Sequence, residues 1–63
     1  MIRILVAEDE HLIREAMSAL LALETDLEII TQASSGPEAV VAARTHRPDV
    51  AVLDLQMPGI DGI

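Results

Sequence analysis

Three acidic residues in this 63-residue sequence stand where two strand-like apolar runs end. Glu8 and Asp9 follow the run at residues 2–7, and Asp54 lies near the end of the run at residues 50–55. Carboxylates brought close together repel each other unless a cation lies between them. Mg²⁺ suits such a position because it is a hard ion that takes oxygen ligands and keeps waters. A carboxylate held beside it can attack phosphorus and become an aspartyl phosphate.

Composition limits the class of protein that carries these acids. The hydrophobic fraction of 51% predicts a folded domain despite the net charge of -7. No apolar run approaches the length of a membrane helix, about 18 residues, and residues 1–3 lead into a strand rather than a signal peptide, which predicts a soluble, cytoplasmic protein. With 11 acidic residues against four arginines and no lysine, we expect no direct nucleic acid contact by this segment and no membrane association.

Nearly continuous apolar runs and apolar residues at helical spacing predict the elements that must position the acids. A capping box at Ser35 and Glu38, with Pro37 in the first turn, marks the start of a helix. The predicted elements are a strand at 2–7, a helix at 10–23, a strand at 27–32, a helix from 35 to about 45 and a strand at 50–55. This β-α-β-α-β order predicts an α/β fold with a parallel sheet.

The polarity of the strands predicts their order in the sheet. The second strand carries Glu28, Thr31 and Gln32, which suits an edge, whereas the first and third strands are typical of strands covered on both faces. The predicted order is therefore 2-1-3, and right-handed crossovers place the two helices on opposite faces. Open sheets of this kind bind ligands at the carboxyl ends of the strands that flank the switch point. Because neighbouring strands lie about 4.8 Å apart, the three acids should converge there.

Four motifs spread along the whole chain carry a family resemblance. They are ILVAEDE at 4–10, SSGPEA at 34–39, RPDV at 47–50 and DLQMPGIDG at 54–62. In this combination they resemble a response-regulator receiver domain of two-component signalling, which implies a flavodoxin-like, doubly wound parallel sheet truncated to β-α-β-α-β. The sequence looks most like receivers that precede a helix-turn-helix DNA-binding output. We expect residues 1–63 to be the N-terminal half of a receiver domain, with no output domain in this chain.

The resemblance implies a role for each acid. Asp54 would accept a phosphoryl group from a sensor histidine kinase, and Mg²⁺ would be held by Glu8, Asp9, Asp54 and the backbone carbonyl of Gln56. Such a domain catalyses its own phosphorylation but is a signalling module rather than an enzyme, and it would belong to a transcriptional regulator. The family's pattern also includes a Ser or Thr after a fourth strand and a Lys after a fifth, and this sequence has no lysine.

Other interpretations of the same residues remain open. Asp54 taken alone is typical of a turn before Pro58 and Gly59. A haloacid-dehalogenase-type phosphatase also uses an aspartate at a strand end with Mg²⁺, but it requires a second aspartate two residues later, where this chain has Gln56. A degenerate receiver that acts only as an interaction or dimerisation module is the third hypothesis. The free edge of the third strand predicts low stability or pairing with a second copy, that is, a homodimer. His11 is predicted to lie on an exposed helix face without a ligand role.

Overall fold

Five elements make up the computed structural model, which describes residues 1–54. In chain order they are β1 (Ile2–Glu8), α1 (His11–Ala22), β2 (Leu27–Ala33), α2 (Gly36–His46) and β3 (Val50–Asp54). All three strands are parallel, and their order in the sheet is β2-β1-β3. The predicted fold class and strand order are therefore confirmed. No helix within residues 1–54 has the length and apolar character needed to cross a bilayer.

The central strand β1 forms the core because both of its faces are covered. Leu5 and Ala7 are buried on one face, where they cluster with Ala33 of β2 and Ala39 of α2. Ile4 and other β1 side chains of the opposite parity are also buried, and side chains alternate between the two faces of a strand. Since α1 also packs on β1 and β2, it covers the second face, and the two helices lie on opposite sides of the sheet as predicted.

The buried face of α1 differs from the one that its apolar pattern predicts. Leu12, Leu20 and Leu23 are 74%, 67% and 77% exposed, respectively, whereas Ser18 is buried. The more buried positions are 14, 17, 18 and 21, which recur at helical spacing and include Arg14. Apolar residues lie on more than one side of this helix, so periodicity alone does not select the side that faces the sheet. The small side chain of Ser18 faces the sheet, whereas Leu12 and Leu20 do not.

The prediction that β3 is covered on both faces is wrong for the described part of the chain. Val50 and Leu53 are 46% and 59% exposed, and none of the β3 residues is fully buried. The cause is the position of the helices, which pack chiefly on β1 and β2. Apolar side chains of β3 and α2 consequently line an open cavity of about 530 Å³ that includes Ala51 and Leu53.

The start of α2 has the predicted capping residues, but the Glu38 carboxylate bonds to Ser34 and not to Ser35. Ser35 Oγ accepts a hydrogen bond from the Glu38 N–H at 3.2 Å, as a capping box requires. The Glu38 carboxylate, however, accepts hydrogen bonds from the Ser34 N–H at 2.8 Å and the Ser34 hydroxyl at 2.7 Å, and not from Ser35. These two bonds, together with the charge of Arg14, lower the pKa of Glu38 below its ordinary value. The Glu38 carboxylate therefore fixes the loop between β2 and α2 by binding both the N–H and the hydroxyl of Ser34.

The end of α2 is held by an arginine from β1. Arg3 Nη1 donates a hydrogen bond to the Arg47 carbonyl at 2.8 Å, and Arg3 Nη2 donates to the His46 carbonyl at 2.7 Å. The cation thus satisfies two carbonyls at the negative end of the helix dipole. Arg47 itself is the C-cap residue and adopts a left-handed conformation with φ 50° and ψ 62°. A residue with a Cβ is disfavoured in this backbone conformation, whereas glycine adopts it readily.

We expect Arg47→Gly to stabilise the chain by about 1 kcal/mol, since a left-handed residue with a Cβ costs about that much. The matched control is Arg44→Gly, which places the same substitution inside α2 and should destabilise by about 1 kcal/mol. Thermal melts followed by circular dichroism measure both. A melting temperature lowered by both variants would contradict the stated role of the Arg47 backbone.

Candidate functional site

The structure brings the three acidic residues together at the carboxyl ends of β1 and β3. Glu8 and Asp54 are direct neighbours in the pairing of β1 with β3, each at the last position of its strand. Asp9 follows Glu8 immediately, before α1 begins. All three line a cavity of about 460 Å³, which is also lined by Glu10, His11 and Ile13. The predicted convergence at the carboxyl ends of β1 and β3 is therefore present.

Glu8 is the buried member of the group and is fixed at both its backbone and its side chain. Its relative exposure is 3%, whereas Asp9 and Asp54 are exposed. Its Oε2 accepts a hydrogen bond from the Glu10 N–H at 2.7 Å. Its backbone carbonyl accepts a hydrogen bond from Arg14 Nη1 at 2.8 Å. One acid is thus rigidly placed, and two are accessible to molecules that enter the cavity.

The electrostatics of the cavity favour a cation. The hydrogen bond from the Glu10 N–H lowers the pKa of Glu8, but this effect is outweighed. A hydrogen bond with the Asp9 carboxyl group, burial, and the negative charges of Asp54 and Asp9 together raise the pKa of Glu8 above its ordinary value. A raised carboxyl pKa means that the ionised form is disfavoured by neighbouring negative charge. A divalent cation between the acids would reverse that penalty.

The donor set fits Mg²⁺ in its chemistry, although the side chains do not converge into a complete coordination sphere. Within residues 1–54, no group of three His, Asp or Glu side chains is arranged to hold a metal ion by itself. Mg²⁺ does not require one, because it is commonly bound through one or two carboxylates and retains several waters. Glu8, Asp9 and Asp54 supply such carboxylates beside a cavity that admits water.

The remaining predicted site residues have different outcomes. Gln56, whose backbone carbonyl was predicted as a metal ligand, lies outside the described residues, as does the loop with Pro58 and Gly59. His11 lines the cavity, but its Nδ1 lies 3.1 Å from Arg14 Nη2 and its Nε2 lies 3.8 Å from the Glu15 carboxylate. Its ring nitrogens therefore face other side chains of α1.

Arg14 is the residue of this region that the sequence did not single out. It is one of four arginines in an acidic chain, and it falls one helical turn after the acids. Its guanidinium reaches back to the Glu8 carbonyl, six residues earlier at the end of β1. The half-buried position of Arg14 on α1 became visible only with the packing of α1 on the sheet.

Comparison with known proteins agrees with the geometry of this site. The family model for the response regulator receiver domain matches residues 4–63. The chain belongs to the response regulator receiver domain family. Curated relatives of this receiver chain include response regulator GacA of Pseudomonas viridiflava, which is 43% identical over 63 residues and is matched over 29% of its length. Another is transcriptional regulatory protein LiaR of Bacillus subtilis, also 43% identical over 63 residues and matched over 30% of its length.

One relative carries the name of an enzyme. A protein-glutamate methylesterase/protein-glutamine glutaminase of Nitrosospira multiformis is 41% identical over 63 residues, and the receiver chain covers 18% of it. In all three comparisons the whole of this chain is matched, but it spans less than a third of the relative. The activities of the complete relatives consequently do not transfer to this chain.

A solved structure confirms the receiver fold. The signal receiver domain of the putative response regulator NarL from Mycobacterium tuberculosis superimposes with a TM-score of 0.85 at 38% sequence identity. The match covers 97% of this chain and 49% of that one. The flavodoxin-like, doubly wound arrangement implied by the sequence motifs is therefore confirmed.

Proposed function

We propose that this receiver domain accepts a phosphoryl group on Asp54 from a phosphohistidine of a sensor histidine kinase. Mg²⁺ would be held by Glu8, Asp9, Asp54 and the backbone carbonyl of Gln56. Residues 1–63 would form the N-terminal half of the receiver, in keeping with the 49% of the NarL receiver chain that they cover. The protein would be a transcriptional regulator, as the name of its relative, transcriptional regulatory protein LiaR, suggests.

One observation carries the proposal. Glu8 and Asp54 occupy paired terminal positions of adjacent parallel strands, and Asp9 lines the same cavity as they do. Turn formation explains Asp54 alone, but it does not explain why two further acids stand opposite it. Mutual repulsion, which contributes to the raised pKa of Glu8, destabilises such a cluster, so its presence calls for a functional explanation. Binding a cation and a phosphoryl group provides one.

The chemistry assigned to Asp54 requires a free carboxylate at an accessible position. A carboxylate oxygen of Asp54 would form the new P–O bond while the P–N bond to the donor imidazole breaks, and the donor nitrogen leaves with the electron pair. Asp54 is exposed at the end of β3, so a donor can approach it. Bound Mg²⁺ would neutralise negative charge on the phosphoryl oxygens. Glu8, fixed by Glu10 and Arg14, would hold the ion beside Asp54 without moving.

The proposal assigns signalling rather than turnover to this segment. The relative from Nitrosospira multiformis is named as an enzyme, but this chain covers only 18% of it. The net charge of -7 and the absence of lysine argue against DNA contact by the segment itself. Any DNA binding would come from another part of the complete regulator. The receiver family match also favours this function over a haloacid-dehalogenase-type phosphatase. Such an enzyme requires a second aspartate two residues after the first, where this chain has Gln56.

Asp54→Asn is expected to abolish phosphorylation of the chain. The test is intact-mass measurement after incubation with acetyl phosphate and Mg²⁺, since an amide cannot form the acyl phosphate. Asp26→Asn is the matched control, because Asp26 is exposed in the turn immediately before β2 and its substitution should leave the adduct unchanged. Circular dichroism verifies that each variant is folded.

Two results would contradict the assignment of Asp54. A phosphoryl adduct that persists in Asp54→Asn would place the acceptor elsewhere. A folded wild-type chain that binds Mg²⁺ weakly and takes no adduct would favour the second candidate, an interaction module. The exposed apolar side chains of β3, such as Val50 and Leu53, favour that candidate, and sedimentation would then show association between copies.

A further inference from the structure

Arg14 connects the first turn of α1 to the end of β1. Its Nη1 donates a hydrogen bond to the Glu8 carbonyl at 2.8 Å, across six residues of chain and in a half-buried position. Its Nη2 lies 3.1 Å from His11 Nδ1, which can accept from it. Guanidinium carries donors in a fixed planar fork. Both prongs of that fork are engaged, so the orientation of the group is set.

The segment enclosed by these contacts contains the acids of the candidate site. The Glu8 carbonyl is held by Arg14, and the Glu8 carboxylate is held by the Glu10 N–H. The Glu10 carbonyl in turn accepts from the Arg14 N–H at 2.9 Å. Asp9 lies between two anchored residues, although its own side chain is exposed. The Arg14 side chain holds one end of this segment at the Glu8 carbonyl, and the Arg14 backbone holds the other end at the Glu10 carbonyl.

We propose that Arg14 is a positioning residue for the metal site and sets its affinity for Mg²⁺ by holding the Glu8–Glu10 segment in the binding geometry. This inference rests on the proposed function, because it assumes that the acids bind the ion. Arg14 touches neither the phosphoryl group nor the ion in this scheme. It acts through the backbone carbonyl of Glu8.

Electrostatics alone predicts the opposite effect, which makes the inference sharply testable. Arg14 is a cation close to a proposed cation site, so removing its charge should by itself strengthen Mg²⁺ binding. If Arg14 instead preorganises the acids, removing it should weaken binding, since the segment must then be ordered when the ion binds. The sign of the change in affinity distinguishes the two effects.

Arg14→Met is the variant of choice because it keeps an unbranched side chain that packs along the helix and removes both the charge and the donors. We expect its Mg²⁺ dissociation constant to rise about tenfold, in line with the loss of one charge-assisted hydrogen bond. Arg14→Lys retains a donor that can reach the Glu8 carbonyl and should recover most of the affinity. Arg44→Met, at an exposed position of α2, should leave affinity unchanged. Titration of Mg²⁺ into each folded chain, followed by amide chemical shifts, supplies the constants.

A second measurement uses the wild-type chain and does not depend on the folding of a variant. Coupling between two interactions is reciprocal, so Mg²⁺ binding should strengthen the bond from Arg14 to Glu8. The guanidinium protons of Arg14 should then exchange with solvent more slowly when Mg²⁺ is bound, and nuclear magnetic resonance measures that rate.

The outcomes separate this inference from the proposed function. Unchanged or tighter Mg²⁺ binding by Arg14→Met, or unchanged or faster exchange of the Arg14 protons, would overturn the positioning role while the phosphoacceptor assignment stands. If the wild-type chain does not bind Mg²⁺ at all, the proposed function and this inference fail together. Weaker binding by Arg14→Met, with recovery by Arg14→Lys, supports the role.

Discussion

Leu5→Ala is expected to unfold the chain under conditions in which the wild type is folded. Leu5 is 1% exposed in the central strand and belongs to the cluster that joins β1, β2 and α2. Removing a buried leucine side chain costs about 2–5 kcal/mol. A domain of this length has a total stability of roughly 3–9 kcal/mol, and small cores lie toward the low end of such ranges. The substitution therefore removes most or all of the stability.

Thermal and urea melts followed by circular dichroism test this expectation. The matched control is Leu20→Ala, because Leu20 lies on α1 and is 67% exposed. The same change there should alter stability by less than about 0.5 kcal/mol. A cooperative melt of Leu5→Ala close to that of the wild type would show that the cluster around β1 does not carry the fold. The contrast between the two leucines also removes any effect of the substitution type itself.

Element order and sheet topology were predictable because they depend on local patterns that the sequence displays directly. Continuous apolar runs mark β1 and β3, and the polar residues of β2 assign it to the sheet edge where the structure has it. The Ser35 cap with Pro37 behind it marks the start of α2. Given this order, the right-handed crossover rule leaves essentially one arrangement. The strand order itself makes Glu8 and Asp54 neighbours at the carboxyl ends of β1 and β3.

The features that were not predictable depend on packing between elements. The apolar residues of α1 surround much of the helix, so the side that meets the sheet follows from the tertiary fit, which selects Ser18 rather than Leu20. The exposure of β3 follows from where the helices lie and not from the composition of β3. The bond from Arg14 to Glu8 spans six residues and two elements. No pattern at a fixed sequence period reports such a contact.

We expect Asp9→Asn to be more stable than the wild type without Mg²⁺ and less stable than the wild type when Mg²⁺ is added. Without the ion, the variant should be the more stable protein, because it removes one of the charges that repel Glu8. With the ion at about 100 times the wild-type dissociation constant, the wild type gains about 2.7 kcal/mol. A variant that binds about tenfold more weakly gains only about 1.4 kcal/mol under the same conditions.

Melting temperatures with and without Mg²⁺ measure this reversal. For a chain of this size, 1 kcal/mol corresponds to a shift of about 4–8 °C, so the wild type should rise by roughly 10–20 °C and the variant by about half of that. Asp26→Asn removes a charge of the same kind at the opposite end of the strands, where the Asp26 carbonyl accepts from the Ile2 N–H, and this variant should respond to Mg²⁺ as the wild type does. Equal Mg²⁺ responses in Asp9→Asn and the wild type would remove Asp9 from the metal site. A variant less stable than the wild type without the ion would show that Asp9 stabilises the fold, since relief of repulsion alone can only raise its stability.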